Sequence, residues 1–373
     1  MYDSDTSVVT SALKGSSTAV FSDTTIANIL ALTSTTADPV IKVDNNPTIA
    51  ANGAVTFTSG TELGFVNVSA ENTTLTITGD TKTIVLGGTG SANLVVGNPN
   101  DTVISGGQQP ANVQGGPAVN AAPAATVLAN GLPHTDRVVI GSAGDDSITV
   151  IDKKNTLIVL GSGDSTVTAG HGVDTIESAL GNSTIVGGKG DYAVVKQAGN
   201  SANYTVSDAD GHAVLTNSTT HKTTDITGIQ FVQFDNGESL VFAKDVVEGQ
   251  AGLMYQVAFG RDADASGMDH WFDTLSAGGS IWQIANNFVN SAEFVAAHAG
   301  QTDQQFVQSL YQNTFGRAAD AGGLAYWTDL MSHGASKAAL VASFADLAVQ
   351  NVAGDLNTEV QVIGNVTIVS GII

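Results

Sequence analysis

Apolar positions recur along the first half of the chain with a period that no helix can follow. From Ala51 to Gly107 they fall at Phe57, Val66, Leu75, Ile84, Leu94 and Val103, nine residues apart with one step of ten. A second array gives Ile148, Ile158, Val167, Ile176, Ile185 and Val194, nine apart after one step of ten. Nine residues are about two and a half helical turns, so successive apolar positions would face opposite sides of a helix. Gly lies a few residues before many of them, and each would cost a helix about 1 kcal/mol. A short strand and a turn, stacked so that neighbours bury one apolar row, satisfies both features. The pattern predicts a parallel β-roll or β-helix of nine-residue repeats.

The rest of the chain changes pattern three times. Between the arrays, Ser105 to Thr135 holds Pro110, Pro117, Pro123 and Pro133 among many Ala, Gly and Asn, and reads as a linker, an inserted loop or an irregular ordered excursion. After Val195 come longer alternating strands with the tight-turn dipeptides Asp210-Gly211 and Asn236-Gly237. From Glu248 the period becomes helical: Phe306 and Leu310, then Val307 and Tyr311, repeat at i, i+4 behind a capping box from Thr302 to Gln305. The segment from Glu359 returns to strand character with Val360, Val362, Val366, Ile368, Ile372 and Ile373. The organisation expected is an N-terminal segment (1–50, possible assembly role), a first array (51–107), a linker or loop (108–135), the roll (136–200), hairpins (201–246), a duplicated helical domain (247–353) and a C-terminal strand or secretion-signal region (354–373). The fold class is mainly β with an α domain.

Composition narrows the chemistry. Charged residues make up only 13% of the 373, and the balance is 35 acidic against 13 basic, a net charge of −22. Nucleic acid and anionic membranes are repelled by such a surface, because binding them needs Lys and Arg. Seven of the acids are Glu and the rest Asp, the short carboxylate that suits turns and calcium loops. There is no Cys, which removes disulfides, thiolate metal sites and a Cys nucleophile. No run approaches the roughly 18 apolar residues of a membrane span, so no membrane insertion is expected. The N-terminus shows no basic region followed by an apolar one, so the protein is expected either to stay inside or to leave by a route that reads another signal.

The repeat units compare with the nonapeptide G-G-x-G-x-D-x-U-x, where U is a large apolar residue. Gly141 to Thr149 fits with Ser142 at the second Gly, and Ala169 to Glu177 fits from its second position. These residues resemble the repeats-in-toxin (RTX) family, whose rolls bind calcium between turns and which leave the cell by type I secretion. The resemblance implies that Gly144 and Gly172 shape the turns while Asp146 and Asp174 supply carboxylates, with Asp101 in the same slot of the first array. The slot is degenerate: Thr156, Ser165, Ser183 and Tyr192 fill it in other turns, and Ala92 fills it in the first array. Successive nonapeptides alternate between edges, so Asp146 and Asp174 are expected on different edges, each without a second Asp. Few or weak calcium sites follow.

The helical region repeats itself at 56 residues. Tyr255, Phe259-Gly260-Arg261, Asp264, Gly267 and Trp271 correspond to Tyr311, Phe315-Gly316-Arg317, Asp320, Gly323 and Trp327. This pattern resembles the domain of unknown function 4214 family, which accompanies RTX and surface-layer proteins. Asp262, Asp264 and Ser266 read like the start of an EF-hand loop, with Asp273 at its twelfth position, while the sibling loop has Ala318 and Gly322 instead. The competing reading makes Asp264 and Asp320 helix caps.

Catalytic patterns are scarce. No zinc-protease helix motif, nucleophile elbow or P-loop is present, and Gly163-Asp164-Ser165 falls in register as a repeat turn. Only three Arg exist, too few to cluster around an acidic sugar. The expectation is a non-enzymatic protein of the cell exterior, secreted by type I machinery and assembling with itself into a filament or surface layer with calcium as cofactor. Its Ser- and Thr-rich surface suits packing against copies, since ordering long charged side chains costs entropy. The C-terminal strand would dock on a neighbour, or pair within its own subunit. A monomeric calcium-dependent adhesin for surface polysaccharide is the alternative; it would need an exposed aromatic patch. An ice-binding face would need a regular Thr-x-Thr ladder, which the turns between Thr76-Ile77-Thr78 and Thr166-Val167-Thr168 interrupt.

Overall fold

A computed structural model describes residues 1–14, 23–33, 40–98, 135–178, 181–188, 192–209, 212–350, 359–363 and 366–370. Contacts divide them into two units. The first holds the described residues within 1–104, 133–198 and 203–229, and the second those within 199–202 and 230–373.

The first unit is a β-roll of two parallel ladders. One ladder runs through Val40–Asp44, Leu63–Asn67, Thr83–Gly87, Arg137–Ile140, Thr156–Val159, Asp174–Glu177 and Ala193–Gln197. The other runs through Ala54–Thr56, Thr73–Ile77, Ala92–Val96, Ser147–Val150, Ser165–Thr168, Ser183–Val186 and Thr223–Thr227. Successive strands alternate between ladders. The nine-residue period is therefore half of one coil.

The apolar rows stand in register. Leu75, Leu94, Ile148, Val167, Ile185 and Ile226 form one, each 2% exposed or less. Ile84, Val139, Ile158, Ile176 and Val195 form its partner. Val195 replaces the expected Val194 because this coil takes nineteen residues from Ile176, where the one before takes eighteen. Val66 likewise pairs with Leu86 and stays out of the Ile84 row. Each such side chain, buried from water, contributes about 1.5–3 kcal/mol.

The outer faces differ. On the second ladder Thr74, Asn93, Thr166 and Thr184 are exposed. On the first, Arg137–Ile140 and Thr156–Val159 are buried on both faces. Helices α1 (Thr6–Lys14) and α2 (Asp23–Thr33) account for this: Val9, Leu13, Ile26 and Ile29 pack on Leu63, Val85, Val138, Ile140, Leu157 and Val159. The two arrays are one continuous roll, because Ala92–Val96 pairs with Ser147–Val150 and Thr83–Gly87 with Arg137–Ile140 across residues 99–134. Antiparallel strands close it: Tyr2–Asp5 on Val40–Asp44, Thr48–Ile49 on Ala54–Thr56, and the run Thr223–Thr227, His212–Asn217, Tyr204–Ala209.

In the second unit, Phe231–Phe234 and Ser239–Ala243 form a hairpin. Ser239–Ala243 also pairs with Val366–Ser370, which pairs with Glu359–Ile363, all antiparallel. Among the described residues seven helices follow the hairpin: α3 (Val246–Phe259), α4 (Ala265–Ser276), α5 (Ile281–Asn290), α6 (Ala292–Ala297), α7 (Asp303–Phe315), α8 (Ala321–Ser332) and α9 (Lys337–Val349). Helix α3 is buried along most of its length and packs against α5, α7, α9 and the strands Ser239–Ala243 and Val366–Ser370. Among the described residues no helix is long and apolar enough to cross a membrane.

Candidate functional site

The turns of the roll are where chemistry was expected, and their carboxylates are already engaged. Asp146, 2% exposed, accepts the Ser142 N–H on Oδ2 at 2.6 Å and the Ala92 N–H on Oδ1 at 2.9 Å. The Ser142 hydroxyl lies 2.9 Å from the same Oδ1 and 2.8 Å from the Gly90 carbonyl. Asp174, fully buried, accepts the Thr156 N–H on Oδ1 at 2.8 Å and the Gly170 N–H on Oδ2 at 2.6 Å. Burial pushes both carboxyls up, that of Asp174 to about 6, against the pull of these amides. The two stand at the starts of strands in different ladders.

This arrangement is not that of a calcium cage. The ion needs six to eight oxygen ligands at about 2.3–2.6 Å, and here each carboxylate oxygen already accepts an amide hydrogen, which leaves at most one lone pair apiece for a cation. Among the described residues no three His, Asp or Glu come together in a way that could hold a metal ion. The glycines answer to packing. A Cβ on Gly144 would stand 2.4 Å from the Gly90 carbonyl oxygen, and one on Gly172 would stand 2.7 Å from those of Lys153 and Lys154. Stacked turns come too close for any side chain there. Asp101 lies outside the described residues.

Two features escaped the nonapeptide reading. Outside the buried slot, Asp145 accepts the N–H of Asp164, Asp164 that of Asn182, and Asn182 that of Thr223. Across the roll, Asp136 accepts the N–H of Asn155, and Asn155 that of Val173. Each link spans one turn to the next, and Asp or Asn recurring at 18 or 19 residues was its signal in the sequence.

The second feature is a buried ion pair. Arg137, 1% exposed, donates from both terminal nitrogens to Asp152, at 2.8 and 2.6 Å, and also to the Thr156 hydroxyl at 2.9 Å. Asp152 accepts the Asn98 N–H at 3.2 Å as well. Burial works against its charge, yet the hydrogen bonds and charge of Arg137 hold the carboxyl below its ordinary range.

In the helical region the EF-hand-like residues serve other ends. Asp262 accepts the Ser239 N–H at 2.7 Å. Asp264 caps α4, accepting the Gly267 N–H at 2.8 Å and the Ser266 hydroxyl at 3.0 Å, with Arg261 at 3.5 Å. Asp273 lies exposed on α4. Arg261 also forms a two-pronged bond with Glu293 while covering the Tyr255 ring at 5.0 Å. The Tyr255 hydroxyl accepts from the Trp271 indole at 3.0 Å, and a Cβ on Gly267 would collide with that hydroxyl at 1.9 Å. This locks α4 against α3.

The second copy keeps the cap, with Asp320 accepting the Gly323 N–H, and keeps Arg317 over Tyr311 at 5.4 Å. Its helix α8 nevertheless has no fully buried residue, and Tyr326 is 58% exposed, its ring 5.0 Å from that of Trp327. Of the assembly residues, Val360 and Val362 lie in Glu359–Ile363, and Val366 and Ile368 in the strand paired with Ser239–Ala243 of the same chain. Ile372 and Ile373 lie outside the described residues.

Comparison with known families places one part of this architecture. The family described as Domain of unknown function (DUF4214) matches residues 245–298 and 285–348, so the match covers both copies of the helical motif. No curated protein and no solved structure matches the chain.

Proposed function

We propose that this chain is an extracellular structural protein, exported by a type I machinery, that assembles with copies of itself into a filament or surface layer. The strand Glu359–Ile363 supports this reading most directly. It pairs with Val366–Ser370 on one edge and, among the described residues, ends its sheet on the other. Its sequence, Glu-Val-Gln-Val-Ile, carries one charge in five residues. An edge of this kind is a template for strand addition by another copy. In this reading calcium does not close the buried turns; its place would be between copies, at exposed turn carboxylates such as Asp145. Negative-stain electron microscopy tests both parts. Ordered polymers in millimolar calcium that fall apart in chelator are the expected result. Polymers in both conditions would remove calcium from the proposal, and single particles in both would overturn assembly.

A specific observation favours a second reading, an adhesin for surface polysaccharide. The Tyr326 ring, 58% exposed, meets that of half-buried Trp327 at 75° on α8, whereas Trp271, the counterpart of Trp327, is buried. Exposed aromatic rings offer an apolar face to a sugar and a polar edge to its hydroxyls. Polysaccharide binding lost in Tyr326→Ala is the expected result; binding unchanged in that variant would dismiss this surface.

A further inference from the structure

The turn acids that form no calcium cage have another task, visible at the seam between the two arrays. At most other places along the roll a turn side chain reaches the next coil 18 or 19 residues away, and at the last coil Asn182 reaches Thr223 across 41. Across the seam the same reach spans 54 residues, because 99–134 intervene. A longer closure costs more entropy, so this is the weakest place in the stack unless something strengthens it. Both buried acids there hold groups from the two sides. Asp146 joins Ala92 to Ser142. Asp152 joins Asn98 to Arg137, and Gly97 approaches so closely that a Cβ there would stand 2.8 Å from the Asp152 carboxyl carbon.

We infer that Asp146 and Asp152 form a metal-free weld that makes the two arrays unfold as one body, the Arg137 guanidinium standing where a bound cation would otherwise neutralise Asp152. The geometry is that of a filled site. Asp152 and Arg137 have side chains 0% and 1% exposed, and the guanidinium takes both carboxylate oxygens and the Thr156 hydroxyl. In a stacked-repeat protein, cooperativity rests on each nearest-neighbour interface, so one weakened interface separates what lies on its two sides. Backbone bonds such as Ile151 N–H to Val96 O also cross the seam, but they are the ordinary ladder that every coil has. The inference does not depend on how copies of the protein associate.

Hydrogen exchange on the full chain, resolved by peptides, reads the coupling directly. In chelator, amides in 40–96 and 156–197 of the native protein are expected to share one slow opening rate, unchanged by millimolar calcium. In Asp152→Asn, amides in 40–96 are expected to exchange at least about tenfold faster while those in 156–197 keep their rate. Equal acceleration on both sides would make Asp152 a general contributor to stability and overturn the weld. So would different rates in the native protein, or seam amides that calcium slows. Should Asp152→Asn not fold, Arg137→Lys keeps the charge and gives up the paired bonds, and equal rates on both sides in that variant would overturn the proposal in the same way.

Discussion

Two successive turns on one edge of the roll each bury a carboxylate and treat its charge in opposite ways. In the turn before Thr156, Asp152 meets a guanidinium and its carboxyl is held below the ordinary range. At the start of the next strand of that ladder, Asp174 is hydrogen-bonded by two backbone amides and feels the Arg137 charge only at a distance, and burial pushes it up to about 6. Burial is common to both. What separates them is a formal positive charge within hydrogen-bonding distance, which two amide dipoles do not match. Asp152 is therefore a fixed charge at neutral pH, and Asp174 a group close to titration.

Removing the cation breaks the comparison most severely. Arg137→Met leaves Asp152 buried and unpaired, a loss of about 3–5 kcal/mol of stability. Adding Asp152→Leu should recover part of it, because the two apolar groups need no partner, while the Asn98 N–H loses its acceptor. Denaturant unfolding of the single and double variants measures this, and a loss below about 1 kcal/mol in the single variant would show the pair to be dispensable.

The next effect comes from pH. The Asp174 carboxyl is raised in the folded state from 3.8 to about 6, so the folded protein binds its proton more tightly than the unfolded chain does. Its contribution is fully present below about pH 4 and is lost as pH rises through about 6, on the order of 2–3 kcal/mol in all. Other carboxylates act in the opposite sense, so the informative quantity is native minus Asp174→Ser, the residue that Ser165 and Ser183 place in the same slot. That difference should slope between pH 4 and 6 and flatten above. A flat difference throughout would mean that Asp174 is as well solvated by its amides as by water.

Much of this architecture was legible in the residues. The Ile148, Val167 and Ile185 row follows from the period alone, and the Tyr255 and Tyr311 motifs mark both copies of the helical repeat. Part was present but read too narrowly. Val138-Val139-Ile140 and Leu157-Ile158-Val159 are unbroken apolar runs, the mark of strands buried on both faces, and α1 with α2 supply the second cover. The role of Asp152 could not be read, because it depends on the register between segments on either side of 99–134, which no local pattern encodes. In the calcium slot the motif gives the positions of Asp146 and Asp174 but not the amides that each of them accepts, which belong to neighbouring turns.

The smallest effect concerns what ties the two compared turns to each other. Asn155 lies in the first, and its side-chain oxygen accepts the Val173 N–H of the second at 3.0 Å, while its own N–H donates to Asp136 of the turn before at 3.2 Å. Asn155→Ala removes the side-chain acceptor and leaves the backbone donor in place, so one link of the outer ladder opens and the other persists. A half-buried neutral hydrogen bond of this kind is worth about 1 kcal/mol. Hydrogen exchange at Val173 should speed up by the corresponding factor of about five, with Asn155 itself unchanged. Acceleration at both amides would mean that the outer ladder moves as a unit, and the two turns would then owe their spacing to the whole stack of Asp and Asn side chains.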